Sequence, residues 1–280
     1  MQSTNPNAPP SVSIFSLGST LSRHRHLIIQ MTRREIVGRY KGSVFGLAWS
    51  FFHPVLMLLV YTFVFSEIFG SRWTEASSGG GKTQFALVLF VGMIVLNFFS
   101  DVLNRAPFLV LSNVNYVKKV VFPIEVLPVI ASVTALFHAA VHLGVLLLAL
   151  AISNSHIPWT AVLFPLIFLP LFLVALGLAW ALAALGVYMR DVGHTVGVVT
   201  TVLMFLSPVF YPVTAVPPRF QPYIMANPLT FIIEQARNVL IWERMPDWHG
   251  LGLYSAIAAA VSWAGFAWFQ KTRKGFADVL

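Results

Sequence analysis

The chain is 280 residues long, 57% hydrophobic and only 10% charged, with a mean hydropathy of +0.77. A soluble domain carries about 25% charged residues, so a soluble globular fold is excluded and helical membrane spans are the default. The formal net charge is +8, and the absence of cysteine excludes disulfides and thiolate metal sites.

Residues 1–22 carry no charge and are dominated by Pro, Ser and Asn. They lack the basic start and apolar middle of a cleavable signal peptide and predict a disordered cytosolic tail. Residues 19–41 form a helical candidate in which Leu27, Ile28 and Met31 share a face and Arg and His fill others. That pattern suits a helix lying in the membrane interface over 23–45; the alternative is a solvated basic linker.

Six segments can cross a bilayer core of about 30 Å: 46–69, 85–103, 129–152, 161–188, 196–213 and 251–270. They make an all-α transmembrane domain over 46–270, followed by a short tail at 271–280. An even number of spans puts both termini on one side. Thirteen Lys and Arg fall on the terminal side and five, Arg72, Lys82, Arg219, Arg237 and Arg244, on the other. Cytosolic loops carry the excess, so both termini are expected in the cytosol. The basic face there would meet anionic headgroups, and nucleic acid is not the expected partner.

Between spans one and two lies ASSGGGKT, which fits a loose phosphate-binding loop from Ala76 to Thr83. Such a loop follows a strand and opens a helix in a cytosolic domain. Here it lies between apolar spans on the external side, so it reads as a flexible turn. The external segment 214–250 starts with a Pro-rich stretch, after which Asn227 offers an N-cap and Pro228 suits the first helical turn. Leu229, Ile232, Ile233, Ala236 and Leu240 follow at helical spacing. The pattern predicts an amphipathic helix lying on, or dipping into, the membrane.

No carboxylate lies mid-span, where a proton-coupled carrier would be expected to keep one. An embedded glycan-processing enzyme would need an acid–base pair or a metal cluster. His138 and His142, at i and i+4 on span three, could bind metal, but no third ligand is apparent. They read as a polar stripe bonding to a neighbouring helix. His53 precedes Pro54 and either lines a pore or satisfies a carbonyl freed at a kink. Ser50, His53, Met57 and Tyr61 on span one share a face. So do Thr200, Met204, Ser207 and Tyr211 on span five, at i, i+4, i+7 and i+11. The two stripes are either ordinary helix packing or the aromatic and hydroxyl lining of a sugar conduit.

Residues 34–65 read REIVGRYKGSVFGLAWSFFHPVLMLLVYTFVF, 113–129 read NVNYVKKVVFPIEVLPV and 188–194 read YMRDVGH. Together they resemble the membrane subunit of type-2 ABC exporters for polysaccharides, the O-antigen and teichoic-acid exporters. The resemblance covers nearly the whole chain from about residue 33. It implies two copies around a channel, with two separate ATPase subunits that bind ATP and Mg. It also implies a bacterial inner (plasma) membrane setting and a glycan cargo on a polyprenyl diphosphate lipid. Cofactors bound by this chain, metals included, and catalytic residues are not expected.

By the same resemblance, Trp49, Ser50, Phe52, His53, Met57, Tyr61, Thr200, Met204, Ser207 and Tyr211 would line the channel. Arg33, Arg34, Arg105, Asn113, Asn115, Tyr116, Arg190 and Asp191 would couple to the ATPases. Arg39, Tyr40, Lys41, Lys118 and Lys119 would sit at the membrane edge. Phe210, Phe220, Tyr223, Asn227, Pro228 and Glu234 would belong to an external gate. A drug- or lipid-exporting relative of the same architecture is the alternative.

Overall fold

The structure is a computed structural model that describes residues 18, 22–64, 82–118, 122–154 and 156–280. The expected disordered tail (save Gly18 and Ser22), the glycine-rich turn at 76–81, Arg72 and Lys119 lie outside the described residues, as does the end of span one. Among the described residues all regular structure is helical. The helices used below are α1 (Arg25–Arg39), α2 (Trp49–Tyr61), α3 (Lys82–Arg105), α4 (Val114–Lys118), α5 (Val126–Asn154), α6 (Phe164–Tyr188), α7 (Val192–Leu206), α8 (Gln221–Met225), α9 (Pro228–Leu240), α10 (Trp248–Thr272) and α11 (Phe276–Val279).

Among the described residues, five helical stretches are long and apolar enough to cross a membrane: Gly46–Val64, Gln84–Phe108, Val126–Ser153, Trp159–Tyr188 and Trp248–Gly275. They contain α2, α3, α5, α6 and α10. The chain is a multi-pass membrane protein. The expected fifth span, 196–213, is not one helix. α7 stops at Leu206, and Ser207 turns extended, with φ −88 and ψ 144. Pro208 is the cause: its ring disfavours helical geometry at Ser207, and it has no N–H to continue the ladder. Tyr211 therefore lies beyond the helix, and the proposed i, i+4, i+7, i+11 face ends with it.

α3 is apolar over most of its surface and forms the buried strut of the fold. Its best window is 83% buried, against 11% for α2, which lies loosely on the outside. α6 and α10 make the most extensive helix pair, and glycine permits it. A Cβ on Gly265 would stand 1.9 Å from the Gly177 carbonyl oxygen, and one on Gly177 would stand 2.6 Å from Ser262 Cα. Small residues that let backbones approach are the usual means of helix association in lipid, where burial of apolar surface gives no drive.

Of its two expected positions, on the surface or dipping inward, α9 takes the buried one. Its cap forms as read: Asn227 Oδ1 accepts from Leu229 N at 2.9 Å, with Pro228 at the first turn. Yet its residues pack among α3, α6 and the 3-10 turn Trp159–Leu163, and Arg237, counted above as an external charge, is 0% exposed. The Arg237 guanidinium donates to Val88 O (3.3 Å), Val209 O (3.0 Å) and Glu234 Oε1 (2.8 Å). Gly92 makes room for it on α3, since a Cβ there would stand 3.3 Å from Nη2.

One end of the bundle gathers α1, the 3-10 turns Ala106–Phe108 and Leu111–Asn113, α4, the α6–α7 turn and the C-terminal helix α11. Tyr188 Oη donates to Thr272 O at 2.9 Å, and Arg273 pairs with Glu125 at 3.1 Å. Between α1 and α2 the chain bends at Gly42 and Gly46, whose φ values of 86 and 50 favour glycine.

Gly265→Leu would drive a side chain into the α6 backbone. It should abolish monodisperse protein in detergent or lower Tm sharply. Gly252→Leu on the same helix meets nothing within 4 Å and should leave both unchanged; equal behaviour of the two variants would contradict this packing.

Candidate functional site

Three polar stripes converge on a cleft between α2, α3 and α5. α2 brings Ser50 and His53. α3 brings Asn97, Ser100 and Asp101, at i, i+3 and i+4. α5 brings His138 and His142. Each spacing keeps its residues on one helical face. Between Phe85 and Phe99 on α3, Asn97 alone is exposed. The cavity between them measures about 570 Å³, and Trp49 and Tyr40 also line it. A smaller cavity of about 140 Å³ shares His53, Asn97 and His142 and leads past Met57 to Tyr61 and Phe90. The span-one stripe thus faces a hollow inside the chain.

Charged groups line the end of this cleft nearest α1. Asp101 lies 3.6 Å from Arg39 and 3.7 Å from Arg105, and Arg105 also pairs with Glu35. Two carboxylates and two guanidinium groups thereby fasten α1 to the end of α3. Tyr40 packs edge-on against His138, with ring centroids 6.1 Å apart, and partial burial raises its phenol pKa.

Residues 26–241 match the family model described as "ABC-2 type transporter". The chain belongs to the ABC-2 type transporter family. It is 29% identical to the O-antigen export system permease protein RfbA of Myxococcus xanthus, over 92% of this chain and 96% of that relative. A Klebsiella pneumoniae protein of the same name is 23% identical, over 91% and 95% of the two chains. The polysialic acid transport protein KpsM of Escherichia coli is 23% identical, over 74% and 78%.

In this ABC-2 chain the expected channel residues separate into two groups. Trp49, His53, Met57 and Tyr61 border the cavities. Ser50 does too, but is buried and donates to Leu47 O at 2.7 Å. Phe52 is exposed beside Phe45, at 5.8 Å between centroids. The α7 set turns inward instead. Thr200 is buried and donates to Asn104 Oδ1 and Gly197 O, both at 3.0 Å. Ser207 is 0% exposed and accepts from Asn227 Nδ2 at 2.9 Å. Met204 packs against the core, and Tyr211 Oη donates to Phe205 O at 2.9 Å. The outer face of α7 is apolar, with Val198, Val199, Val202 and Phe205 exposed. Within one copy the two stripes do not meet.

Arg33 and Arg34 are exposed on α1, Asn115 on α4, and Arg190 and Asp191 on the turn between α6 and α7 at the same end. Arg105 is committed to the ion pairs above. Asn113 Nδ2 donates to Leu109 O at 2.8 Å, and Tyr116 stacks on Phe122 at 4.3 Å. Arg39, Tyr40 and Lys41 close α1, and the backbone of Lys118 ends α4. In the gate segment Phe210 packs against the core, whereas Phe220 lies under the Arg219 guanidinium at 4.6 Å and Tyr223 is exposed.

His138 differs from its reading. His138 Nε2 is buried with no hydrogen-bond partner, so it faces the cavity without bonding a neighbouring helix. Among the described residues no three His, Cys, Asp or Glu could hold a metal ion. Sequence reasoning missed Glu35, Asn97, Ser100 and Asp101 as site residues. The i, i+3, i+4 spacing of the last three inside an apolar helix was the available signal.

Arg105→Ala would leave Glu35 without its partner and Asp101 with Arg39 alone. Hydrogen exchange of the α1 amides should rise several-fold while that of α3 holds. Unchanged exchange across 25–39 would show that the ion pairs do not hold α1.

Proposed function

We propose that the protein is the channel-forming transmembrane subunit of an ATP-driven exporter. It moves a lipid-linked polysaccharide from the cytosol across a bacterial inner membrane. The observation that carries this reading is the near-full-length similarity to the O-antigen export permeases of two organisms. Relatives named for polysialic acid and capsule polysaccharide share the glycan theme and not one sugar.

The chain has polar and aromatic groups for a sliding polyol, but its ten acidic residues place none mid-span, so it does not drive transport by protons. Two partner subunits, each binding ATP and Mg, supply that drive to a pair of copies of this chain. A nucleotide shifts the channel only through contacts that differ between its two states. The contacts suited to this lie at the end with α1, the 105–116 segment and the Arg190–Asp191 turn, which carries most Lys and Arg and faces the cytosol.

There Pro107 and Phe108 form a wedge. A Cβ on Gly186 would stand 2.1 Å from Pro107 O, and one on Gly193 would stand 2.2 Å from the Phe108 ring. A push on the 105–116 segment therefore reaches α7 directly. α2 and α7 carry the channel face, and 216–242 forms the external gate.

Purified alone, the chain should hydrolyse no ATP; robust turnover without a partner would refute the division of labour. Deleting the gene should remove surface glycan and accumulate lipid-linked intermediates, read by mass spectrometry, whereas intact surface glycan would refute the exporter reading. Gly193→Leu should cut glycan export while the ATPase subunit still co-purifies. Undiminished export would take the wedge out of the coupling path.

A further inference from the structure

We propose that the cleft between α2, α3 and α5 is a binding site for a single neutral sugar ring within each copy of the chain. This rests on the exporter reading and adds a residence site to it, built largely from Asn97, Ser100, His138 and His142. The cavity, at about 570 Å³, falls in the ordinary range for small-molecule sites, roughly 300–1,000 Å³.

The chemistry of the lining selects the occupant. Neutral imidazoles offer one donor and one acceptor each, and the Asn97 amide offers both. That mixed set matches vicinal hydroxyls, which also donate and accept. Trp49 and Tyr40 add flat apolar faces for the C–H side of a ring. An anion would want donors in excess and would meet Asp101. A lipid tail would leave Asn97 and the buried His138 Nε2 unpaired, which is costly away from water. Arg39 and Asp101 pair with each other at 3.6 Å, so the cleft presents little net charge. His53, Asn97 and His142 belong to both cavities, so a bound ring has a lined path toward Tyr61.

The chain has no cysteine, which allows a direct test. Ser100→Cys, nearly isosteric, and Asn97→Cys are introduced singly in the full transporter. Labelling by a charged, membrane-impermeant thiol reagent is timed in inside-out membrane vesicles. One set comes from cells making the host's lipid-linked glycan, the other from cells blocked before its first sugar. Both cysteines should label, and several-fold more slowly with the glycan present. Lys274→Cys, exposed on the turn after α10 and outside the cleft, should label equally in both. Equal rates at Ser100→Cys and Asn97→Cys, or no labelling at either, would overturn the site. Surface glycan separates the failures. If the cysteine variants still export while unprotected, only the cleft is refuted; if gene deletion leaves surface glycan intact, the exporter reading falls with it.

Discussion

The break after α7 is the constraint to which much of this structure answers. Ending a helix at Leu206 frees carbonyls that have no intrahelical partner, and at membrane depth no water can satisfy them. The protein covers them with its own donors. Tyr211 Oη donates to Phe205 O, while beside the break the Asn227 amide holds the Ser207 hydroxyl. Arg237 brings a full charge to Val209 O while also holding Val88 O on α3. A buried guanidinium is costly unless its donors are used, and Glu234, one turn earlier on α9, completes the set. α9 is buried because the break needs it.

Packing divides the molecule into a stiff part and a loose one. α3, α5, α6, α9 and α10 share apolar cores, and the Gly177–Gly265 approach locks two of them at backbone distance. α2 has little of this. It is held by a glycine bend at one end and leaves Phe45, Trp49, Phe51 and Phe52 exposed. The cleft lies between the loose helix and the stiff body, so its width follows α2. Few packed contacts are the physical content of a segment that can move.

Much of this was legible in the residues. Apolar runs located the long helices to within a few residues, and Asn227–Pro228 announced α9 by its cap. Proline was ambiguous: Pro54 and Pro170 sit inside helices, whereas Pro208 ends one, and only the surrounding packing decides which. Arg237 reads as a surface charge because a lone arginine on an amphipathic helix usually is one; beside Glu234, its partners are the carbonyls of Val88 and Val209, far along the chain. Asn97 and Asp101 lay at readable spacing, but which helices face them is tertiary information. His138 and His142 were recognised as a polar stripe, yet not as the wall of a hollow.

The helices also differ in reach. α6 has 25 residues, about 37 Å of helix at roughly 1.5 Å per residue, which exceeds a hydrocarbon core of about 30 Å and is accommodated by tilting or by local thickening of the bilayer. α7 has 15 residues, about 22 Å by the same rise, and falls short. A single chain thus holds an over-long and an under-long element side by side. Thickening the bilayer would straighten the first and strain the second, pulling on the junction that Arg237 seals. Lipid chain length is therefore a variable that acts on this protein through α7.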